Sequence, residues 1–542
     1  MTELAPTVED VQRTLHELRA YRSRMNREIR IDVELYNREF SLDIPEDFLE
    51  VKAPTTKSVP DRLADRLGSA RVQNHIEPRR SGESELEHVE KLEKATGALL
   101  YLMRRRAHYS PIRAMALHGA VRGAFVPKFQ VDLSGFSKPP LRESGETQTR
   151  YDARRKLWQF RQLERFPLML DVRPIESIFP DSETDGERFV IEHYRRKVGD
   201  VKKNYPNWEG WAGFATRDQK GRFAGKRIYK DNDTCDYTEV WTPDWRGAMV
   251  DQDWLPIGDF EPGPIPNVFG RPPYWVRYAG YGDPAGEPHQ KCVGLLRAIR
   301  DVALSESRLL TVINALAEQE AYGATIIGAQ DEAAKATMSY GPGAVIETNA
   351  DGAQIPLPQA YKPQNNLGGA LNALTVMQSS TERGSVPSEA IGEASRSRTG
   401  TPSGVAAAIL TGQASMIIDP LKSAIEDFLG DFLPFVVYVL DAVVEEELTL
   451  YGQVGQDSFV NLTLTQQDID AHYGPIFVEL KLRAPEDDYA RWNLGVQALQ
   501  AGFPPEFVME RFFGIENSTE MVKDMMTKQI AYSQAVRENY LI

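Results

Sequence analysis

Cysteine is nearly absent: Cys235 and Cys292 are the only two in 542 residues. Two thiols cannot build a disulfide framework or a four-cysteine zinc site, and they suit a chain that matures in a reducing cytoplasm, where the expected state is two inert buried thiols. Histidine is sparse as well, and its eight copies are scattered without metal-ligand spacing. Long apolar runs are missing. The best is FLPFVVYVLDAVV, Phe432 to Val444, which Pro434 and Asp441 interrupt and which is too short to span a bilayer. The first residues, MTELAPTVEDVQRTL, carry acids where a secretory leader needs basic residues, so neither export nor membrane insertion is expected. Positive charge is also in deficit. With 63 Lys and Arg against 78 Asp and Glu the net charge is -15, which argues against charge-driven capture of DNA but not against a protein that lets DNA pass without gripping it.

Enzyme signatures are missing too. There is no HExxH, GxSxG, EF-hand loop or CxxC. GRFAGKR, Gly221 to Arg227, sets its glycines one residue too close for a phosphate-cradling loop and puts Arg227 where the magnesium-binding hydroxyl belongs. No catalytic residue, metal site or cofactor is therefore assigned. The surviving enzymatic alternative is a metal-dependent nucleic-acid enzyme with dispersed carboxylates.

What is present is a chain of ordinary globular composition, 42% hydrophobic and 26% charged, long enough for three or four structural units. Thr7 and Asp10 resemble a capping box, and Val8, Val11, Leu15, Leu18, Met25 and Ile29 fall at helical spacing over the first forty residues, with Arg22 interrupting the seam. A second helical run starts at Ser84 and breaks at Ser110-Pro111. The Arg104 to Arg106 triplet near its end is a solvated helix terminus, or else a contact for nucleic acid or a partner. From Gly123 the pattern becomes strand-like. In AFVPKFQVDL, Phe125, Phe129, Val131 and Leu133 share one face, with Lys128, Gln130 and Asp132 on the other as the solvated side. YTEVWTPDWRGAMVD reads as a hairpin turning at Pro243 to Gly247. The basic residues Arg217, Lys220, Arg222, Lys226, Arg227 and Lys230 form either an exposed hairpin or a contact for an acidic partner.

CVGLLRAIRDVALSESRLLTVINALAEQEAYG predicts one helix of about 30 residues with Leu295, Ile299, Val302, Leu309, Ile313 and Leu316 on one stripe. ATIIGAQ, AVIETN and AQIPLPQ predict a small β module, and NNLGGALNALTVMQSSTERG a returning helix. The strip GEASRSRTGTPSG, Gly392 to Gly404, precedes a helical run in which Asp419-Pro420 is expected to restart the helix and Pro434 to kink it. Leu421, Ile425, Phe428 or Leu429, and Phe432 make its apolar face. The tail from Pro485 reads as short helices split near Gly502 and Gly514.

This order of parts resembles the portal proteins, or head-to-tail connectors, of tailed double-stranded DNA bacteriophages. GLLRAIRDVALSESRLLTVINALAEQEAYGATIIGA is similar to the helix that enters the clip of that family. SVPSEAIGEASRSRTGTPSGVAAAILTGQASMIIDPLKSAIEDFLGDFL resembles its Val-Pro turn, polar loop and proline-containing helix, and SIFPDSE, VKKNYPNW and YTEVWTPDW resemble its wing strands and turns. The resemblance runs from about Val59 to Asp441. It implies a helix-rich α+β fold with an N-terminal wing over 1–289, stem helices over 290–322 and 364–384, a clip over 323–363, a tunnel loop over 385–403, a kinked long helix returning to the wing over 404–451, and a helical crown over 452–542.

The implied function is a ring, usually of twelve subunits, at one capsid vertex of the virion, assembled in the host cytoplasm, through which the genome is packaged and ejected. Implied partners are further copies of the chain, the major capsid protein, scaffold during assembly, terminase, a head-tail adaptor or tail protein, and the DNA in the channel, with no membrane. On this resemblance Ser395, Arg396, Ser397, Arg398 and Thr399 face DNA as a basic collar, Asp331, Glu332 and Lys335 lie on the clip surface that binds partners, and Leu295, Ile299, Val302, Leu309 and Ile313 form the subunit interface of the stem.

Overall fold

The structure is a computed structural model. It describes residues 5–44, 49–76, 83–132, 140–164 except 141 and 144, 166–322 except 182, 184, 213, 218–222 and 228, and then 324–329, 345–349, 359–361, 367–384, 404–443, 447–454, 458–465, 468–469, 476–482, 495–500 and 502–511. Helix and sheet are mixed, so the fold is α+β.

The N-terminal run forms two helices rather than one, Val8–Tyr21 and Ser23–Asn37. Thr7 caps the first: its hydroxyl oxygen accepts from the Asp10 amide at 3.2 Å. The break falls on Arg22, the residue that spoils the apolar seam. Its guanidinium turns inward and donates to the carbonyls of Ile175, at 3.1 Å, and Ile178. Arg22 leaves helical geometry, at φ -94 and ψ 5, while Val11, Leu15 and Leu18 before it and Met25 and Ile29 after it reach buried apolar clusters.

Helix Glu83–Ala107 ends in the Arg104 to Arg106 triplet, in the last turn, where the helix dipole favours cations. Ser110 caps helix Pro111–Arg122 with Pro111 at its first position, and Gly123 closes it at φ 77. No other residue fits at 123: a Cβ there would lie 2.4 Å from the Val293 backbone. Strand Ala124–Val131 then runs between Leu168–Arg173 and Arg277–Tyr278, antiparallel to both. A second antiparallel sheet is ordered Asp253–Trp254, Trp245–Val250, Thr234–Trp241, Val190–Lys197, Ile178–Pro180, with Ile265–Pro266 also paired to Trp245–Val250. The expected hairpin is its centre.

Helix Gly404–Val443 passes through both prolines without a restart at Asp419-Pro420. Each proline gives up one backbone donor, yet continuous burial on one face outweighs that loss. Ile418, Leu421, Ile425, Phe428, Leu429, Phe432, Leu433 and Val436 are all fully buried in the largest core. The acids keep off this face: Glu426 accepts from the Leu480 amide at 2.6 Å, and Asp431 pairs with Arg277.

The region beyond this helix differs from the expected helical crown. Glu447–Val454 and Ser458–Thr465 form a hairpin that packs on Glu83–Ala107, and Ile476–Lys481 pairs with Arg71–Ile76. A boundary at 452 would cut the first of these strands; the compact unit ends at Leu482. In the unit from Arg483 onward, helix Pro505–Arg511 follows Gly502, which adopts φ 85 at the expected split.

Asp468 ties the hairpin to the body. Its carboxylate, 1% exposed, accepts from the Thr465 amide and hydroxyl at 2.8 Å each, and pairs with Lys91 and, at 2.7 Å, with His88. Burial alone would raise its pKa, but donors from Lys91, Thr465 and His88 outweigh it and hold the carboxyl well below its ordinary 3.8. A lowered folded pKa contributes stability that is present above the unfolded value and lost as pH falls through the folded one. Asp468→Asn is thus expected to cost about 1–3 kcal/mol at pH 7. In denaturant titrations the gap between wild type and variant should shrink once the pH is below 3.8; a gap independent of pH would contradict this account.

Candidate functional site

The stem expectation concerns the run after Cys292. That thiol is buried, as is Cys235, and burial pushes it up to about 12. The run is a short helix, Leu295–Ala298, a bend at Ile299 with φ -107 and ψ 5, and a longer helix, Arg300–Tyr322, rather than one rod. The bend coincides with two arginines reaching one buried carboxylate: Arg297 Nε and Arg300 Nη2 lie 3.1 and 2.6 Å from Asp32, and Arg300 also holds Glu28 at 2.9 Å.

Beyond the bend the side of the helix facing the body is small and polar. Ala303, Glu306, Ser307 and Thr311 are buried. The Ser307 hydroxyl accepts from the Ala53 amide at 3.0 Å, Thr311 from the Val51 amide at 2.9 Å, and Thr55 donates to Glu306 at 2.9 Å. The apolar residues therefore point elsewhere. Leu309, Ile313 and Leu316 are half-buried and Val312 is exposed. Helix Leu367–Gly384 packs beside this one and exposes Leu371 and Val376.

The five expected interface residues consequently divide. Leu295, before the bend, and Ile299, at it, are 4% and 1% exposed and consumed by the chain's own core; they have no area left for a neighbour. Val302, Leu309 and Ile313 retain exposed surface. Between the two helices stand three strands: Ala324–Ala329 pairs parallel with Val345–Asn349 and antiparallel with Gln359–Tyr361. The clip residues Asp331, Glu332 and Lys335 and the tunnel-loop residues Ser395, Arg396, Ser397, Arg398 and Thr399 lie outside the described residues. Of the basic cluster, the backbone of Phe214–Arg217 and Phe223–Arg227 is the expected hairpin.

A second site was not legible in the sequence. Lys128, expected on the solvated face of its strand, is 3% exposed. Strands Val190–Lys197 and Thr234–Trp241 pair so that Glu192 lies directly opposite Glu239, an arrangement of like charges that is unfavourable by itself. Lys128 resolves it, with Nζ 2.6 Å from Glu192 and 2.7 Å from Glu239. The Tyr274 hydroxyl donates to Glu192 at 2.8 Å, and Tyr237 to Glu239 at 2.8 Å. Burial disfavours the Lys128 charge, but the two carboxylates outweigh it and hold the ammonium well above its usual range. Burial likewise opposes the Glu239 charge, and Lys128 overcomes it, lowering that carboxyl.

Lys128, Tyr237 and Glu239 of this network line a cavity of about 690 Å³, together with Arg173, Tyr194, Arg196, Tyr205, Trp241, Arg246 and others that include Val268, Phe269 and Tyr438. Strand register sets Glu192 opposite Glu239, and packing of the other sheet brings Lys128 to them; a single sequence carries no signal of either.

Among the described residues no group of three or more His, Cys, Asp or Glu could hold a metal, and no helix is long and apolar enough to cross a membrane. No protein-family model and no curated protein matches the chain.

Proposed function

We propose that the chain is a subunit of a portal-type ring, a channel for double-stranded DNA at a capsid vertex, and that its work is structural rather than catalytic. The observation that carries this reading is the pair of helices Arg300–Tyr322 and Leu367–Gly384 flanking a three-stranded tip, with Val312 and Leu371 each 46% exposed on them. A helix whose body-facing side is polar while its apolar residues remain at the surface is built to be covered by another chain. A heterologous contact repeated around a closed ring covers such a strip on every copy without leaving a free end.

The order of parts supports the same reading: a mixed body, a helix, a small sheet, a returning helix, and then a 40-residue helix that packs back into the body. The net charge of -15 supports it too, since a wall poor in Lys and Arg gives passing phosphates little to hold. In this reading Arg396 and Arg398 form a basic collar, the strands of the tip carry the surface for terminase and later an adaptor, and the body meets capsid protein.

Negative-stain imaging and mass measurement of the purified chain test the proposal. Closed hollow rings are expected, and Val312→Asp with Leu371→Asp should shift the population to monomers while the denaturation midpoint of the monomer stays within a few tenths of a molar. Monomers only, with metal-dependent cleavage of DNA, would sink the structural reading in favour of an enzyme.

A further inference from the structure

Beside the Lys128 network the cavity carries two cations that the network does not use. Its lining contains Lys128, Arg173, Arg196 and Arg246. Lys128 is committed to Glu192 and Glu239, and Arg173 to Glu192 and Asp171 at 3.2 Å each. Arg196 and Arg246 have no carboxylate within ion-pair distance among the described residues; each lies over an aromatic ring instead, Arg196 at 5.2 Å from the Tyr237 centroid and Arg246 at 5.6 Å from that of Trp241. The Arg246 Nε atom is buried with no hydrogen-bond partner, so an acceptor in the cavity would satisfy it.

Register fixes where these two groups stand. Glu192, Tyr194 and Arg196 share one face of their strand, and Tyr237, Glu239 and Trp241 share the same face of the next. Arg246 is paired with Trp241 and Arg196 with Cys235, so they stand toward opposite ends of that face. Their supporting rings belong to residues four apart on one strand, Tyr237 and Trp241, whose backbone positions are roughly 13 Å apart. Tyr194 and Tyr205, whose hydroxyl lies 3.0 Å from that of Tyr237, also line the cavity, as do Val268, Phe269 and Tyr438.

We propose that this cavity binds an elongated dianion: an apolar spacer bearing an oxyanion at each end, one end held by Arg196 and the other by Arg246. A guanidinium fork suits carboxylate or phosphate equally, so the shared chemistry is the oxyanion. The volume lies within the range of sites for small organic ligands. Burial already lowers the basicity of Arg246, and an anion beside it would relieve that cost. The site is independent of ring formation.

Titration calorimetry of the full chain with the α,ω-dicarboxylates from succinate to sebacate, with hexanoate as the one-headed control, tests the proposal. Affinity should pass through a maximum at intermediate length, near adipate or suberate, and exceed that of hexanoate by at least about tenfold. Butane-1,4-diyl bisphosphate is the second arm: tighter binding than adipate would assign the natural ligand to phosphates, weaker binding to carboxylates. Arg196→Gln and Arg246→Gln should each lower the affinity of the best diacid about tenfold and abolish its advantage over hexanoate. If Arg246→Gln does not fold, Arg246→Lys, which keeps the charge but not the fork, must still weaken binding. Equal affinity for hexanoate and every diacid, or no heat with any probe at millimolar concentration, overturns the proposal.

Discussion

Replacing Lys128 with methionine is expected to destabilise the chain by about 3–5 kcal/mol, as losing one partner of a buried ion pair does. Methionine matches the length and much of the volume of lysine, so little cavity is created. The cost is electrostatic. Glu192 is fully buried and Glu239 stands opposite it, and without the ammonium the two carboxylates share one buried site in which Arg173, 3.2 Å from Glu192, is the cation that remains. Tyr274 and Tyr237 still donate to them, but a neutral hydroxyl does not offset a second negative charge. One or both carboxyls must then take up a proton, so the variant should lose least at acid pH and most at neutral pH. Adding Glu192→Gln and Glu239→Gln to Lys128→Met removes the charges together and should recover most of the loss, since a neutral site of similar shape is often as stable as the ion pair it replaces. Denaturant titration at pH 5 and pH 7 measures all three chains. A loss below about 1 kcal/mol at pH 7 would show that Lys128 is not what holds this site together.

Phe432→Ala is expected to cost a similar amount, about 3–5 kcal/mol, by a different mechanism. Phe432 is fully buried where the long helix meets the first sheet. Its ring stacks on Phe428 at 5.2 Å and meets Trp275 and Phe129 edge to face at 5.4 and 5.8 Å. Three aromatic neighbours, one on the same helix, one on strand Ala124–Val131 and one in the segment before Arg277, hold each other's rotamers, so they cannot collapse into the space left by alanine, and the cavity term adds to the lost transfer energy. Tyr438→Ala, six residues further along the same helix and 59% exposed, should change stability by no more than about 0.5 kcal/mol. Equal effects of the two substitutions would mean that the face of the helix has been assigned wrongly.

What could be read beforehand was what depends on neighbours in sequence. Thr7, Ser110 with Pro111, Gly123 and Gly502 mark boundaries through local backbone chemistry, and the structure places boundaries there. The apolar stripe Leu421, Ile425, Phe428 and Phe432 is buried because helical periodicity alone selects that face. The failures share a different cause. Asp419-Pro420 carries a good local stop signal, overridden by the burial of Ile418 just before it and of Leu421, Ile425 and Phe428 after it. Glu447–Val454 and Ile476–Lys481 are strands because of distant partners, Ser458–Thr465 and Arg71–Ile76, which no local window contains. For Lys128, alternation gives the face of the strand but not what covers it. Leu295 and Ile299 look continuous with the stripe that follows, and only the bend at Ile299 separates core from surface.

The polar footing of helix Arg300–Tyr322 has a mechanical consequence. Apolar side chains in a groove resist separation but permit sliding, because dispersion contacts have little direction. The amides of Val51 and Ala53, received by Thr311 and Ser307, do have direction, and a shift of one residue along the helix axis would break both at once. A load applied at the three-stranded tip is therefore carried along the helix as a strut and delivered into the segment around residue 52, instead of being dissipated as slip.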